Sequence, residues 1–214
     1  MKKYSHLNFY NFIWIFTFSA FTGWLIELGW RCARHGCLYF QGFVHAPMLP
    51  IYGVGGLILF ILFTFYKKKN IILTFLIGFI LLSGYEYFVS WFQEVAFGTW
   101  TWDYDGFSTF HLNGRISLLH STFFGTGAVL WQFLIQERAI RFLDGFVKGK
   151  IKIITILLTI FLAINIILTV AATIRISERA NDIPPSNCFW EFIDQQYNDE
   201  FMRRWLPKIR VIRN

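Results

Sequence analysis

Five runs of mostly apolar residues, at 9–30, 49–66, 71–97, 116–136 and 153–174, leave this chain few ways to fold. A helix rises about 1.5 Å per residue, so about 20 apolar residues cross a hydrocarbon core about 30 Å thick. The chain therefore reads as an all-α, polytopic membrane helix bundle of about five transmembrane helices. Pro184-Pro185 separates the last run from a polar C-terminal tail. Only 15% of the 214 residues are charged, well below the roughly 25% of a soluble domain, so a second, soluble domain does not fit.

The formal net charge is +7, but Lys and Arg sit in short clusters between apolar runs, where they orient helices rather than bind nucleic acid. With the N-terminus in the cytoplasm, that side collects Lys2, Lys3, Lys67, Lys68, Lys69, Arg138, Arg141, Lys148, Lys150 and Lys152. The outer loops then hold only Arg31, Arg34 and Arg115. The tail disturbs this balance, because Arg175, Arg179, Arg203, Arg204, Lys208, Arg210 and Arg213 would lie outside after five spans. Either the tail is an exception or one apolar stretch is re-entrant. Within it, Phe189, Ile193, Tyr197, Phe201 and Trp205 recur every four residues and predict one amphipathic helix over 188–206. Such a helix would lie on the membrane surface or pack against a loop.

A charge at the centre of a membrane helix costs at least ~2.5 kcal/mol on insertion scales, so each one needs a partner or a task. Ser19, Gly23, Glu27 and Arg31 form a stripe on the first helix; Glu86, Ser90, Gln93 and Glu94 form one on the third. Asn113, Arg115, Ser117, His120 and Ser121 open the fourth helix at the same level. The preceding loop adds Trp102, Asp103 and Tyr104, and the loop after the first helix adds His45. Candidate substrate-binding residues are thus Glu27, His45, Glu86, Ser90, Glu94, Trp102, Asp103, Tyr104, Asn113, Arg115 and His120, gathered at the outer end of the bundle. The competing reading makes Glu27 with Arg31, and Glu86 or Glu94 with Arg115, closed ion pairs that hold helices together.

No cofactor or metal is expected. Cys32, His35 and Cys37 are too sparse a set for a metal site, although a Cys32–Cys37 bridge would form in an oxidising compartment. Tyr52-Gly53-Val54-Gly55-Gly56 lacks a preceding strand and reads as close helix packing rather than a nucleotide loop. GxxxxGK[ST], GxSxG and HExxH do not occur, so any ATPase would be a separate chain.

Phe21-Thr22-Gly23-Trp24-Leu25-Ile26-Glu27, Gln41-Gly42-Phe43, Ala46-Pro47-Met48-Leu49-Pro50-Ile51-Tyr52-Gly53, Glu86-Tyr87, Trp102-Asp103-Tyr104 and Asn113-Gly114-Arg115-Ile116 stand in an order that resembles the putative ABC-transporter type IV, or CmpB-like, family. Phe40-Gln41, Thr101 and His45 depart from that pattern, which has Asn-Arg, Trp and often Gly there. The resemblance implies a four-helix membrane unit over 1–152, followed by an additional helix over 153–176 and a tail over 177–214. Its name points to a transport-related role; the partners expected of this chain in the cell membrane are membrane lipid, from the outer polar pocket, and a separate ATPase or other membrane subunit, since the chain has no P-loop.

The leading reading is a permease-like transport component whose outer pocket binds a small or lipid-like polar group. In it Arg115 would hold an anion, and Glu27, Glu86 and Glu94 would bind cations or exchange protons. The alternatives are a membrane-embedded enzyme acting on a lipid headgroup and a structural or regulatory subunit. The enzyme would use Glu86 or Glu94 as base with His120 or His45 as proton partner. The nearly all-apolar second and fifth helices offer no polar route across the bilayer, which favours a one-sided pocket.

Overall fold

The computed structural model describes residues 6–35, 42–105, 109–206 and 209–212, without the side chains of Arg34 and His35. Lys2, Lys3, Phe40, Gln41, Lys208, Arg213 and the Cys32–Cys37 pairing therefore lie outside the described residues. Helices dominate: α1 (Phe9–His35), α2 (Pro50–Phe65), α3 (Ile71–Phe97), α4 (Leu118–Leu130), α5 (Gln136–Phe146), α6 (Lys150–Ala180), α7 (Cys188–Gln196) and α8 (Asp199–Trp205). A π-helical turn, Trp131–Ile135, joins α4 to α5 without a break in the rod. Four stretches, Phe9–Ala33, Ile71–Phe97, Leu118–Phe146 and Lys150–Ala180, are long and apolar enough to cross a membrane, and α2 is a shorter apolar helix.

Several helices begin where the sequence supplies a start signal. Asn70 accepts from the Leu73 amide at the start of α3, Ser117 from the His120 amide at the start of α4, and Pro50 opens α2 at a position that needs no donor. Gly98 closes α3 at φ 60°, returning its amide to the Glu94 carbonyl.

Small residues set the helix approach. Gly23 lies against the Tyr52 ring, Gly53 against Phe16 and Gly56 against Ser19, which fuses α1 to α2. Gly78 against Ala128 and Gly125 against Phe75 do the same for α3 and α4. Such seams suit a bilayer, where dispersion contacts rather than water exclusion hold helices together. Trp14 donates to Thr155 near the starts of α1 and α6, and Gly98 meets Ser177 near the ends of α3 and α6. The chain thus crosses the bundle five times, and the tail emerges at the same end as the loop after α3.

At that end two features differ in form from the sequence expectation. Asn113-Gly114-Arg115 does not begin a helix; it is the turn of a small hairpin between β2 (His111–Leu112) and β3 (Ile116–Ser117). The tail is two helices rather than one, because the Asn198 side chain caps α8 by accepting from the Phe201 amide at 2.9 Å, and the helix stops at Tyr197. The tail also packs on protein: Ile193, Tyr197, Met202 and Leu206 share a core with Val44, Ala171, Ala172 and Ile176. Beyond α8, β4 (Arg210–Val211) pairs antiparallel with β1 (Thr99–Trp100). Its excess of positive charge is largely matched. Arg175 and Arg179 share Asp194, with Glu178 and Asp199 beside them, and Arg204 pairs with Glu200.

Candidate functional site

The α3 stripe faces inward as its four-residue spacing requires, with Glu86 and Ser90 buried. Glu86 is roughly 22 Å along the helix from Ile71, well inside a hydrocarbon core about 30 Å thick. Its Oε1 accepts from the Tyr104 hydroxyl at 3.0 Å. Its Oε2 is buried without a hydrogen-bond partner among the described residues. Tyr52 lies within electrostatic reach of Glu27, Glu86 and Arg31, which places α1, α2 and α3 around one polar centre.

Tyr104 reaches Glu86 because its loop is ordered from several sides. The Tyr104 amide donates to the Gly114 carbonyl, and Asp103 Oδ1 accepts from the Asp105 amide. Gly114, at φ 68°, brings its Cα so close to Asp103 that a Cβ would meet Oδ1 at 2.5 Å. The Tyr104 ring lies over the His120 ring with centroids 4.3 Å apart. Burial pushes the Tyr104 hydroxyl far above its ordinary value, and the Glu86 carboxyl adds to the shift, so the phenol is a proton donor only. His120 Nδ1 in turn meets Ser117 Oγ at 2.7 Å. The same Ser117 oxygen accepts from the His120 amide as the cap of α4.

The other charges are closed. Arg115 forms an ion pair with Glu94, donates to Ser90 Oγ at 3.2 Å, and lies over the rings of Tyr87 and Trp100 at 5.7 and 5.6 Å. Its carbonyl accepts from Trp102 Nε1 at 3.0 Å, and Asn113 donates to the Tyr87 hydroxyl. Glu27 accepts from Arg31 Nε at 2.8 Å. The bundle end therefore gathers two groups: Glu86 with Tyr104 and His120, next to Glu27 and Tyr52, and the Arg115–Glu94–Ser90 clamp with Trp102 and Asn113. His45 belongs to neither. Its Nε2 meets the Tyr197 hydroxyl at 2.7 Å, and its amide donates to Asn165 on α6.

A family model described as putative ABC-transporter type IV matches residues 14–170. The chain belongs to this family. No curated protein and no solved structure matches it. For this ABC-transporter type IV member the match and the apolar helices together establish a multi-pass membrane protein of a transport-related family. The matched region runs past residue 152 into α6, so most of the fifth crossing lies inside it.

Two sets of residues went unread in the sequence. On α6, Asn165 and Thr169 accept from the His45 and Val44 amides, which lets the loop before α2 descend between the helices. Phe43 and Ala46 at its tip pack against Leu162, close to the middle of α6. Non-helical backbone at membrane depth survives only when protein satisfies it, and an Asn in an apolar run is the signal for such a partner. At the opposite end of the bundle, Gln132 donates to the Tyr66 and Lys68 carbonyls and accepts from Thr74, while Gln136 donates to the Phe60 carbonyl and to Thr64. The π turn brings both glutamines onto the end of α2, where they seal it.

Proposed function

We propose that the protein is a permease-like transport component whose polar centre binds a cationic group, a proton or a small ammonium, at Glu86. One observation carries the reading: a carboxylate within an apolar helix with one oxygen held by Tyr104 and the other without a hydrogen-bond partner among the described residues. A polar atom desolvated in this way costs free energy unless something occupies it. Every other candidate carboxylate of the site has a cation or an amide facing it. The Lys and Arg cluster at the opposite end, Lys67, Lys68 and Lys69 with Arg138 and Arg141, supports a cytoplasmic position for that end and an outward-facing centre.

A groove lined by Phe79, Leu112, Leu118, Ser83, Ser117 and Ser121 lies between α3, α4 and the hairpin, and Ser117 on its wall meets His120. It supports lateral entry of a lipid-like amine from the bilayer. Energy would come from a gradient or from an ATPase on another chain. Proteoliposomes with an internal pH dye test the reading. External ethanolamine or tetramethylammonium should drive proton movement through wild-type protein, Glu86→Gln should abolish it, and Glu94→Gln should retain it. Equal traces for wild type, Glu86→Gln and empty liposomes would overturn the transport reading.

A further inference from the structure

The last described residues of the chain, far from Glu86 in sequence, are coupled to it through one short path. Arg210 on β4 donates to Asp103 Oδ2 at 2.7 Å. Asp103 anchors the turn in which the Tyr104 amide is bound to the Gly114 carbonyl, and Tyr104 covers Glu86. The same strand is tied to β1 by the Thr99–Val211 and Trp100–Arg210 pairs and by the Ile212 amide on the Gly98 carbonyl. Gly98 is the cap of α3, the helix that carries Glu86. A second tie fixes the preceding helix, where Trp205 Nε1 donates to the Phe43 carbonyl at 2.7 Å.

From this path we infer that the C-terminal strand is a strap that holds Tyr104 over Glu86, with Arg210 as its positioning residue, and that release of the strap admits water-borne solutes to the centre. The inference rests on the reading of Glu86 as the binding group. Arg210 touches no substrate position; it acts through Asp103. The Arg210–Asp103 tie is the strap's weak one: the Arg210 side chain is 64% exposed, so the pair is worth at most ~1 kcal/mol and is weakened by salt, whereas Ile209 and Val211 pack on the tail core. The bonds beneath it, from Tyr104 to Gly114 and to Glu86, lie in the partly buried interior of the loop.

Access to Glu86 is measured with a water-soluble carbodiimide and an amine nucleophile on the full-length protein in nanodiscs, with modified peptides quantified by mass spectrometry. Glu94, one third exposed, is the internal reference, and thermal unfolding followed by tryptophan fluorescence reports general loosening. In wild type Glu86 should resist modification while Glu94 reacts. Arg210→Glu should raise Glu86 modification about fivefold, the equivalent of losing an exposed pair, and Arg210→Lys should keep the protection.

A locked strap supplies the converse. Because the Ile212 amide binds the Gly98 carbonyl, Thr99 and Val211 form a non-hydrogen-bonded pair, whose Cα atoms lie about 4.5 Å apart, within disulfide range. Thr99→Cys with Val211→Cys, in a chain whose native cysteines are serine, should return Glu86 to wild-type protection when oxidised, even with Arg210→Glu. The inference is overturned if Arg210→Glu leaves Glu86 protected, if the oxidised pair fails to restore protection, or if the rise in Glu86 modification comes with a matching fall in melting temperature. Failure of cation binding with the protection pattern intact would instead remove the reading of Glu86 and leave the strap standing.

Discussion

Arg115 separates packing from function most sharply. Its side chain is 11% exposed and faces Glu94, Ser90 and two aromatic rings. A charge-assisted hydrogen bond contributes about 1.5–3 kcal/mol and each aromatic face about 0.5–1 kcal/mol. Glu94 is partly open to its surroundings, which lowers the value of the pair. Arg115→Ala should therefore cost about 3 kcal/mol, near the lower bound for breaking a buried pair. In a domain of this size that lowers the melting temperature by about 6–12 °C, read from detergent-solubilised protein by tryptophan fluorescence. A double-mutant cycle with Glu94→Gln should show a coupling above ~1 kcal/mol. Cation binding at Glu86 by whatever protein remains folded should be unchanged. A neutral Arg115→Ala, or a coupling near zero, would refute the claim that this arginine is a clamp and return it to the list of anion-binding residues.

Other outcomes follow from single contacts. Gly114→Ala forces a side chain into positive φ against Asp103 and should cost at least ~1–2 kcal/mol, seen as lower thermal stability and loss of Glu86 protection. Asn198→Ala removes the cap of α8 and should cost about 1 kcal/mol, seen as faster proteolysis between α7 and α8 with the membrane helices intact. Asp194 is held below its ordinary carboxylate range chiefly by the hydrogen bonds from Arg175, against the opposing effect of burial. A depressed folded value means that its contribution to tail docking is present above the unfolded value near pH 4 and is lost as pH falls through the lower, folded one. Hydrogen exchange in α7 should therefore be slow at pH 7 and 5 and accelerate below about pH 4, and Asp194→Asn should remove that dependence.

Much of this fold was legible in order and face. The apolar runs lie within the observed helices to within a residue or two, except that α4 starts after a hairpin and the α1, α5 and α6 ends run longer. Length beyond the hydrocarbon core carries no hydropathy signal, so 177–180 read as tail although they continue α6. The stripe of Glu86, Ser90 and Glu94 and the Glu27–Arg31 pair follow from helical spacing alone. Which carboxylate Arg115 would take did not, because spacing along α3 permits either Glu86 or Glu94. Three-dimensional closure chose Glu94 and left Glu86 to Tyr104.

His45 shows the opposite limit. Its neighbours in sequence placed it with the site, yet its partners are Tyr197 and Asn165, which lie more than a hundred residues away. The tail break was signalled by Asn198-Asp199-Glu200, a cap followed by acidic residues. The four-residue apolar repeat running through it gave the stronger signal for one continuous helix.

Calorimetric titration of the nanodisc-embedded protein with ethanolamine, tetramethylammonium and alkali cations tests the central claim most directly. The account predicts a saturable site for at least one of these cations in wild type and in Glu94→Gln, absent in Glu86→Gln and weakened in Tyr104→Phe. Binding that is unchanged in Glu86→Gln, or absent from wild type for every cation, would contradict it.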